Sequence, residues 1–171
     1  MDQLSLRGVA RELGVTAPAL YAYIEDKDEL LAAVASNHFE RLVERFESIT
    51  ENDPLDRIRA VSRAYIDHAV ESPALFRLMF RFPPSPTTEV DAFPPAARAF
   101  EVASQATADA VAQGLLAVDD VTMACMTMWA AMHGAAEVLL MGFGFDEDGA
   151  ERFVSATIDT VLAGQVHPLG G

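Results

Sequence analysis

The side chains that most often do chemistry in proteins are scattered in this sequence. Its four histidines stand far apart along the chain: His38, His68, His133 and His167. His133 and Glu137, one helical turn apart, could ligate a metal together, but such a pair alone is weak evidence for a metal site. There is no nucleophile elbow, no phosphate-binding glycine loop and no HExxH motif. We therefore predict that the protein is not an enzyme, and we expect no cofactor and no metal site.

A second group of side chains, near the N-terminus, is suited to contacts with nucleic acid. Tyr21 and Tyr23 can hydrogen-bond phosphates or contact thymine methyl groups, and Arg7 can reach a guanine edge or a phosphate. The small residues Ala17 and Pro18 would allow a close approach to a DNA groove. The residue types at the start of the chain thus indicate a DNA-reading surface.

Two short helices are needed to position these side chains, and the sequence predicts both. The apolar residues of the first helix recur at i, i+3, i+4 and i+7: Leu6, Val9, Ala10 and Leu13. Gly14 is expected to break this helix and Val15 to turn into the core. Thr16 is a good N-cap, and Pro18 fits the first turn of a second helix. Two short helices joined by a tight glycine turn are typical of a helix-turn-helix, which we place in Leu6 to Ile24.

The rest of the chain also has helical periodicity. Asp26, with Glu29 as its capping-box partner, predicts the start of an unusually long helix that ends near Phe46. Beyond a break at Thr50–Pro54 we predict five helices, a proline-rich loop and a frayed tail: Leu55–Glu71, Ala74–Phe82, Ala96–Leu116, a helix from Asp119 or Asp120 to Leu140, Asp148–Ala163, the loop Pro83–Pro95 and the tail His167–Gly171. No strand pattern stands out, so we predict an all-α fold.

The stretch LSLRGVARELGVTAPALYAYIEDKDELLAAV, from Leu4 to Val34, resembles the DNA-binding domain of the TetR family of bacterial regulators. The resemblance rests on the turn Leu13–Val15, on the Leu-Tyr pair that ends at Tyr21, and on Lys27 ahead of a Leu-Leu pair. The family usually has His-Phe where this chain has Tyr23 and Ile24, and the tyrosine keeps a phosphate donor. The DNA-contacting positions that the resemblance implies are Arg7, Thr16, Ala17, Pro18, Tyr21, Tyr23 and Lys27.

By this resemblance the chain would be a homodimer that binds a palindromic operator, as a repressor that a small apolar ligand releases. Residues 1–46 would form the helix-turn-helix domain with its connecting helix, and residues 47–171 the ligand-binding and dimerisation domain. The last two long helices would form the dimer interface. Family members begin with another helix ahead of Leu4, so we expect a truncated or misplaced start. The alternative is a ligand-binding helical dimer that has lost DNA binding.

The sequence WAAMHG places Trp129 and His133 one turn apart on one helical face. With Gly134, it resembles the TetR subgroup whose C-terminal domain is named for a Trp-His-Gly motif. His133 could contact a ligand, or it could be a hydrogen-bonded histidine inside the bundle or at the dimer interface. Aromatic residues at helical spacing are also more often plain core. The candidate ligand-binding residues are Phe76, Phe80, Phe100, Trp129 and His133.

The overall charge argues against bulk attraction to DNA. The chain has 12 Lys and Arg against 26 Asp and Glu, a net charge of −14. The four charges in residues 1–24 sum to zero: Asp2, Arg7, Arg11 and Glu12. Affinity for DNA must therefore come from a few well-placed contacts.

The sequence predicts a cytoplasmic protein with no membrane span. A single cysteine, Cys125, and the lack of a signal peptide indicate a reduced compartment. The apolar stretch Met123–Met141 is long enough to span a membrane, but His133 and Glu137 within it favour a buried helix.

Overall fold

The computed structural model describes residues 5–81 and 94–166, and this part of the chain is helical, with no strand. Eight helices lie within these two ranges: α1 Leu6–Glu12, α2 Ala17–Tyr21, α3 Lys27–Glu47, α4 Pro54–Glu71, α5 Pro73–Met79, α6 Pro94–Ala112, α7 Val121–Leu140 and α8 Glu147–Val166. The prediction of an all-α fold is confirmed.

Six of the helices begin at a side chain that accepts a hydrogen bond from the free backbone N–H groups of the first turn, among them α8, where Asp146 accepts from the N–H of Gly149. Thr16 accepts one at 3.3 Å and begins α2, and Asp26 accepts one at 2.8 Å and begins α3. Ser5, Asp53 and Asp120 do the same for α1, α4 and α7. Each such cap stabilises its helix by about 1 kcal/mol, so these residues define where the helices begin.

Helix α4 is central to the C-terminal bundle, where it packs against α3, α5, α6, α7 and α8. Its apolar residues recur three or four apart and are buried in one continuous core: Ile58, Val61, Tyr65 and Ala69. The largest fully buried side chains come from α3, α4, α5 and α7: Leu42, Ile66, Phe76, Met79 and Met132. This core holds α7 against α4 and thereby positions the candidate ligand-binding residues.

Helices α1 and α2 pack chiefly against each other, and α3 continues from them into the bundle. Near its start, α3 forms a small apolar cluster with α5 that is separate from the main core, through Leu31, Val34, Ala35 and Leu78. The long helix α3 therefore connects the N-terminal pair to the bundle.

Some details of the predicted elements are wrong. Val15, which is expected to turn into the core, is 45% exposed, and Leu13, the last residue of the apolar stripe, is 65% exposed. Both lie in the turn between α1 and α2, where α1 has already ended at Glu12 and the apolar stripe no longer continues. The predicted loop extends to Pro95, whereas α6 begins at Pro94; the first turn of a helix tolerates proline because its N–H groups have no helical partner.

Other predicted features lie outside the described residues. They are Phe82, most of the proline-rich loop and the C-terminal tail from His167.

Helix α7 is the one helix of the described ranges that is long and apolar enough to cross a membrane by length and composition. It packs against α4, α6 and α8, and Trp129 and His133 on it hydrogen-bond to α4. These contacts are those of a helix in a bundle.

Candidate functional site

The first candidate site is the turn that joins α1 to α2. Gly14 has a φ of +68°, a left-handed conformation that glycine adopts without strain. The N–H of Val15 donates to the carbonyl of Ala10 at 3.0 Å, which closes the turn onto α1. Thr16 then caps α2. The sequence therefore fixes the direction in which α2 leaves the turn, as a helix that reads DNA requires.

The predicted DNA-contacting residues are exposed or half-buried in and around this turn. Tyr23, just after α2, is 85% exposed, and Tyr21, the last residue of α2, is 49% exposed. Arg7 and Pro18 are exposed, and Ala17 is half-buried. The two tyrosines expose both an apolar ring and a hydroxyl group that can form hydrogen bonds. The surface is thus suited to contact another molecule.

The end of this unit is set by the start of α3. Asp26 accepts a hydrogen bond from the N–H of Glu29, and the Glu29 side chain in turn accepts one from the N–H of Glu25. Lys27, half-buried, is the first residue of α3. The reciprocal cap orders the chain between Tyr23 and α3, next to the exposed tyrosines.

The second candidate site is built around the hydroxyl group of Tyr65 in α4. The indole Nε1–H of Trp129 donates to this oxygen at 3.1 Å, and Nδ1 of His133 lies 2.9 Å from it. Tyr65 is 6% exposed, whereas Trp129 is 36% exposed and His133 is half-buried. One buried hydroxyl group therefore organises two residues of α7 that reach the surface of the protein.

Two phenylalanines of the α5 region complete this cluster. The ring centroid of His133 lies 4.7 Å from that of Phe80 and 5.3 Å from that of Phe76, and Trp129 is 6.1 Å from Phe80. The structure thus brings together four of the five predicted ligand-binding residues. Phe100 is half-buried on α6 and makes no ring contact with them in the described ranges.

The electrostatics of the cluster favour neutral side chains. Burial lowers the pKa of His133, and the carboxylate of Glu137 opposes this only in part. Burial also raises the pKa of Tyr65 above that of an ordinary phenol, although the hydrogen bond from Trp129 acts in the opposite direction. At pH 7 the imidazole and the phenol are therefore both uncharged, and their contact is a neutral hydrogen bond.

Sequence reasoning missed Tyr65. It lies in the apolar stripe of α4, three residues before the buried His68 and four before Ala69. A tyrosine at a core position needs a hydrogen-bond partner for its hydroxyl group, and Trp129 and His133 at helical spacing on another helix are such partners. The signal was present, but it required knowing that α4 and α7 are neighbours.

A surface cleft of about 590 Å³ lies elsewhere, where the end of α3 and the start of α4 meet α6. None of the predicted ligand-binding residues lines it. The guanidinium group of Arg98, at its edge, is paired with Glu47 and Glu101, both at 2.8 Å. No group of three or more metal-ligating side chains occurs in the part of the chain that the structure describes. The Tyr65 cluster, which holds four of the five predicted ligand-binding residues, therefore stays the candidate ligand site.

Two family models match this chain. Residues 58–161 match the one described as tetracyclin repressor-like, C-terminal domain, and residues 1–34 match the one for bacterial regulatory proteins of the tetR family. A curated relative, an HTH-type transcriptional regulator of Mycobacterium tuberculosis, is 31% identical over 84 residues. The match covers 47% of this chain and 36% of the relative, so the chain spans about a third of the length of the curated relatives it matches.

Solved structures match over almost the whole chain. A protein of unknown function from Rhodococcus sp. RHA1 superposes with a TM-score of 0.84 at 26% identity, covering 98% of this chain and 87% of its own. AibR, solved in complex with isovaleryl coenzyme A and operator DNA, superposes with a TM-score of 0.65 at 19% identity, covering 93% of this chain and 87% of its own. The second likeness is one of fold alone.

Proposed function

The chain belongs to the TetR family of bacterial regulatory proteins, a family of transcriptional regulators and not of enzymes, and from this premise we propose that it is a ligand-responsive repressor. In this proposal it binds a palindromic operator and is released by a small apolar molecule in the cytoplasm. The proposal rests on the exposure of Tyr23. Its side chain is 85% exposed next to the capped helices α1 and α2, so it contributes little to folding.

We assign DNA reading to the surface around the glycine turn. Tyr21 and Tyr23 would supply phosphate or thymine contacts, and Arg7 a phosphate or guanine contact. The small residues of α2 would let the helix enter the major groove. The full set of proposed contacts is Arg7, Thr16, Ala17, Pro18, Tyr21, Tyr23 and Lys27.

The charge of the chain shapes how it would bind. The net charge is −14, whereas the charges in residues 1–24 cancel. Acidic surfaces elsewhere on the molecule would repel DNA, so only the N-terminal surface could approach a duplex. Such a protein would have weak non-specific affinity and would depend on a few direct contacts.

We propose that the chain forms a homodimer through α7 and α8. The side of α7 that faces away from the core carries Met123, Met126, Ala130 and Gly134, all exposed in the single chain. Apart from its chain neighbours and the backbone of its own helix, no atom of the described residues lies within 4 Å of the place where a side chain at Gly134 would begin, so packing within the described protomer does not explain this glycine. Ala156 and Ala163 are exposed on α8, and a second copy could pack closely against both helices.

The ligand site is assigned to the aromatic cluster around Tyr65, with Phe80, Trp129 and His133 as its lining and the fully buried Phe76 packed behind them. Phe100, which makes no ring contact with these residues, is proposed only as a ligand-binding residue at the edge of the site. AibR was solved with both a coenzyme A ester and operator DNA, which supports a link between ligand and operator binding on this fold. A ligand that prefers one arrangement of α4 and α7 would shift the population of the dimer toward it.

We propose that the boundary between the DNA-binding domain and the ligand-binding domain lies between residues 46 and 47. Residues 1–46 would carry DNA binding and α3 would transmit the change, while residues 47–171 would bind the ligand and the second copy. Release would follow when α3 moves the two recognition helices away from a separation of about 34–36 Å, one turn of duplex. The resemblance to the Trp-His-Gly subgroup is part of this proposal.

A selection experiment tests the proposed function. The full chain is incubated with a pool of random-sequence duplexes, and the retained duplexes are sequenced. We expect a two-fold symmetric motif whose half-sites are centred about one helical turn apart. Enrichment of no motif would favour the alternative, a ligand-binding dimer that has lost DNA binding.

A further inference from the structure

We propose that the Tyr65 cluster recognises a neutral hydrogen-bond acceptor on its ligand, such as a ketone, ester or amide carbonyl, through the Nε2–H of His133. The inference rests on the proposed function only in taking this cluster as the ligand site. It narrows the ligand from an apolar molecule to an apolar molecule with one neutral acceptor.

The direction of the hydrogen bonds follows from the donors that are present. The indole nitrogen of Trp129 can only donate, so the oxygen of Tyr65 accepts at 3.1 Å. The hydroxyl proton of Tyr65 then needs an acceptor, and Nδ1 of His133, at 2.9 Å, is the one in reach among the described residues. If Nδ1 carried a proton, the buried hydroxyl proton would have no acceptor, which is unfavourable.

The tautomer of His133 is therefore assigned. A neutral imidazole with an unprotonated Nδ1 carries its proton on Nε2. This Nε2–H makes no hydrogen bond with the described residues. The buried ring nitrogens that have no hydrogen-bond partner in the described chain belong to His38 and His68, so Nε2 of His133 is not one of them. His133 thus presents one free donor at a partly exposed position.

The surroundings of this donor define the rest of the ligand. The half-buried ring of Phe80 and the exposed ring of Trp129 lie 4.7 and 5.5 Å from the imidazole, so an apolar body would pack beside the donor. The carboxylate of Glu137 acts on His133 electrostatically, and the chain carries a net charge of −14. An anionic acceptor would be repelled, and a ligand without an acceptor would leave Nε2–H unpaired. A neutral acceptor is the chemistry that fits.

The tautomer is tested by long-range ¹H–¹⁵N NMR on the labelled full chain at pH 7. We expect Nδ1 of His133 to resonate as an unprotonated nitrogen and Nε2 as a protonated one. Tyr65→Phe should reduce this preference to that of an imidazole without a partner at Nδ1, and Tyr23→Phe, which deletes an exposed hydroxyl group, should leave it unchanged. A protonated Nδ1 in the unsubstituted chain overturns the inference.

The ligand chemistry is tested with two molecules of similar shape, cyclohexanone and methylenecyclohexane, which differ in having C=O or C=CH₂. The indole N–H signal of Trp129 reports binding, because the chain has one tryptophan. We expect His133→Phe to weaken cyclohexanone binding about fivefold and to change methylenecyclohexane binding less than about twofold. An equal effect on both molecules, no effect on the ketone, or no binding of either molecule to the unsubstituted chain overturns the inference.

The two experiments contain no DNA, so their failure is distinguishable from failure of the proposed function. A chain that selects no operator but shows the His133 dependence for the ketone contradicts only the regulatory role. A chain that binds a selected operator but has a protonated Nδ1 contradicts only this inference.

Discussion

His38 of α3 and His68 of α4 are stacked, with ring centroids 4.0 Å apart and 26° between the ring planes. Both are buried, at 4% and 5% exposure, and three of their four ring nitrogens have no hydrogen-bond partner in the described chain. The stack joins the connecting helix α3 to the central helix α4. Tyr65 lies one turn before His68 on α4, so the contact between α3 and α4 adjoins the candidate ligand site.

We predict that this stack makes the protein sensitive to acid. Burial, followed by the nearby charge of Arg41, lowers the pKa of His38. Burial, followed by His38 and Arg45, lowers the pKa of His68 to about 4. In the unfolded chain each imidazole binds a proton near pH 6.5. Above pH 6.5 the two histidines are neutral in both states and do not reduce the free energy of unfolding. As the pH falls from 6.5 toward 4, the unfolded chain binds protons that the buried rings do not, and the free energy of unfolding decreases. For His68 alone the free energy of unfolding should drop by about 2 kcal/mol between pH 7 and pH 5.

Urea unfolding followed by circular dichroism at these two pH values measures the loss. The double variant His38→Phe/His68→Phe keeps two stacked rings and removes the titration, so the difference between the two proteins isolates the histidines from the many carboxylates. A double variant that loses as much stability as the unsubstituted chain would contradict the prediction.

Tyr65→Phe should destabilise the protein. The substitution keeps the ring in the core and leaves Trp129 Nε1–H and His133 Nδ1 without their shared partner. Unpaired polar groups of this kind cost about 1–3 kcal/mol, less where water can reach them. Thermal unfolding measures the loss, and the emission of Trp129 should shift as well. Tyr23→Phe is the matched control because its hydroxyl group is exposed, and an equal loss in that variant would show that the Tyr65 network has no special role.

Gly134→Leu should weaken or abolish the homodimer. Beyond the backbone of α7 itself, no atom of residues 5–81 and 94–166 lies within 4 Å of a Cβ added at this position, so the new side chain would project from the exposed face of α7. A leucine there would hold apart two helices that pack through small residues. Sedimentation velocity should show a shift from dimer to monomer with unchanged helix content. A dimer of unchanged affinity would mean that this face of α7 is not the interface.

Gly164→Leu offers a comparison on α8, because its added side chain would also meet open space. We expect a weaker effect than at Gly134 if α7 contributes most of the interface.

The sequence predicts the helices well because their start signals are local. Thr16, Asp26 and Asp120 each act on backbone groups two or three residues away, and a capping side chain can be identified without knowing the fold. The exposure of Val15 could not be predicted in this way, because burial depends on which other helices cover a turn.

In the candidate ligand site, too, the local spacing can be predicted from the sequence, whereas the contacts between helices cannot. The spacing of Trp129 and His133 on one helical face follows from the sequence alone. Their shared partner, Tyr65, lies 64 residues before Trp129, and the His38–His68 stack also joins two helices. Contacts between side chains of different helices require the packing of the bundle. The resemblance to a known family supplied the class of the protein, whereas these contacts are visible only in the structure.

Whether the protein reads DNA through its N-terminal surface is measured by fluorescence anisotropy of a selected operator duplex as the salt concentration is raised. Each protomer offers three basic residues near the reading surface, Arg7, Arg11 and Lys27, so the dimer should show saturable binding with a slope of log affinity against log salt no steeper than about −5. Tyr21→Ala and Lys27→Ala should each weaken binding by about tenfold or more. Phe143→Ala, which removes an exposed aromatic ring between α7 and α8, should leave it unchanged. The proposed DNA binding would be contradicted by a duplex that binds without saturation, or by an affinity that neither Tyr21→Ala nor Lys27→Ala reduces.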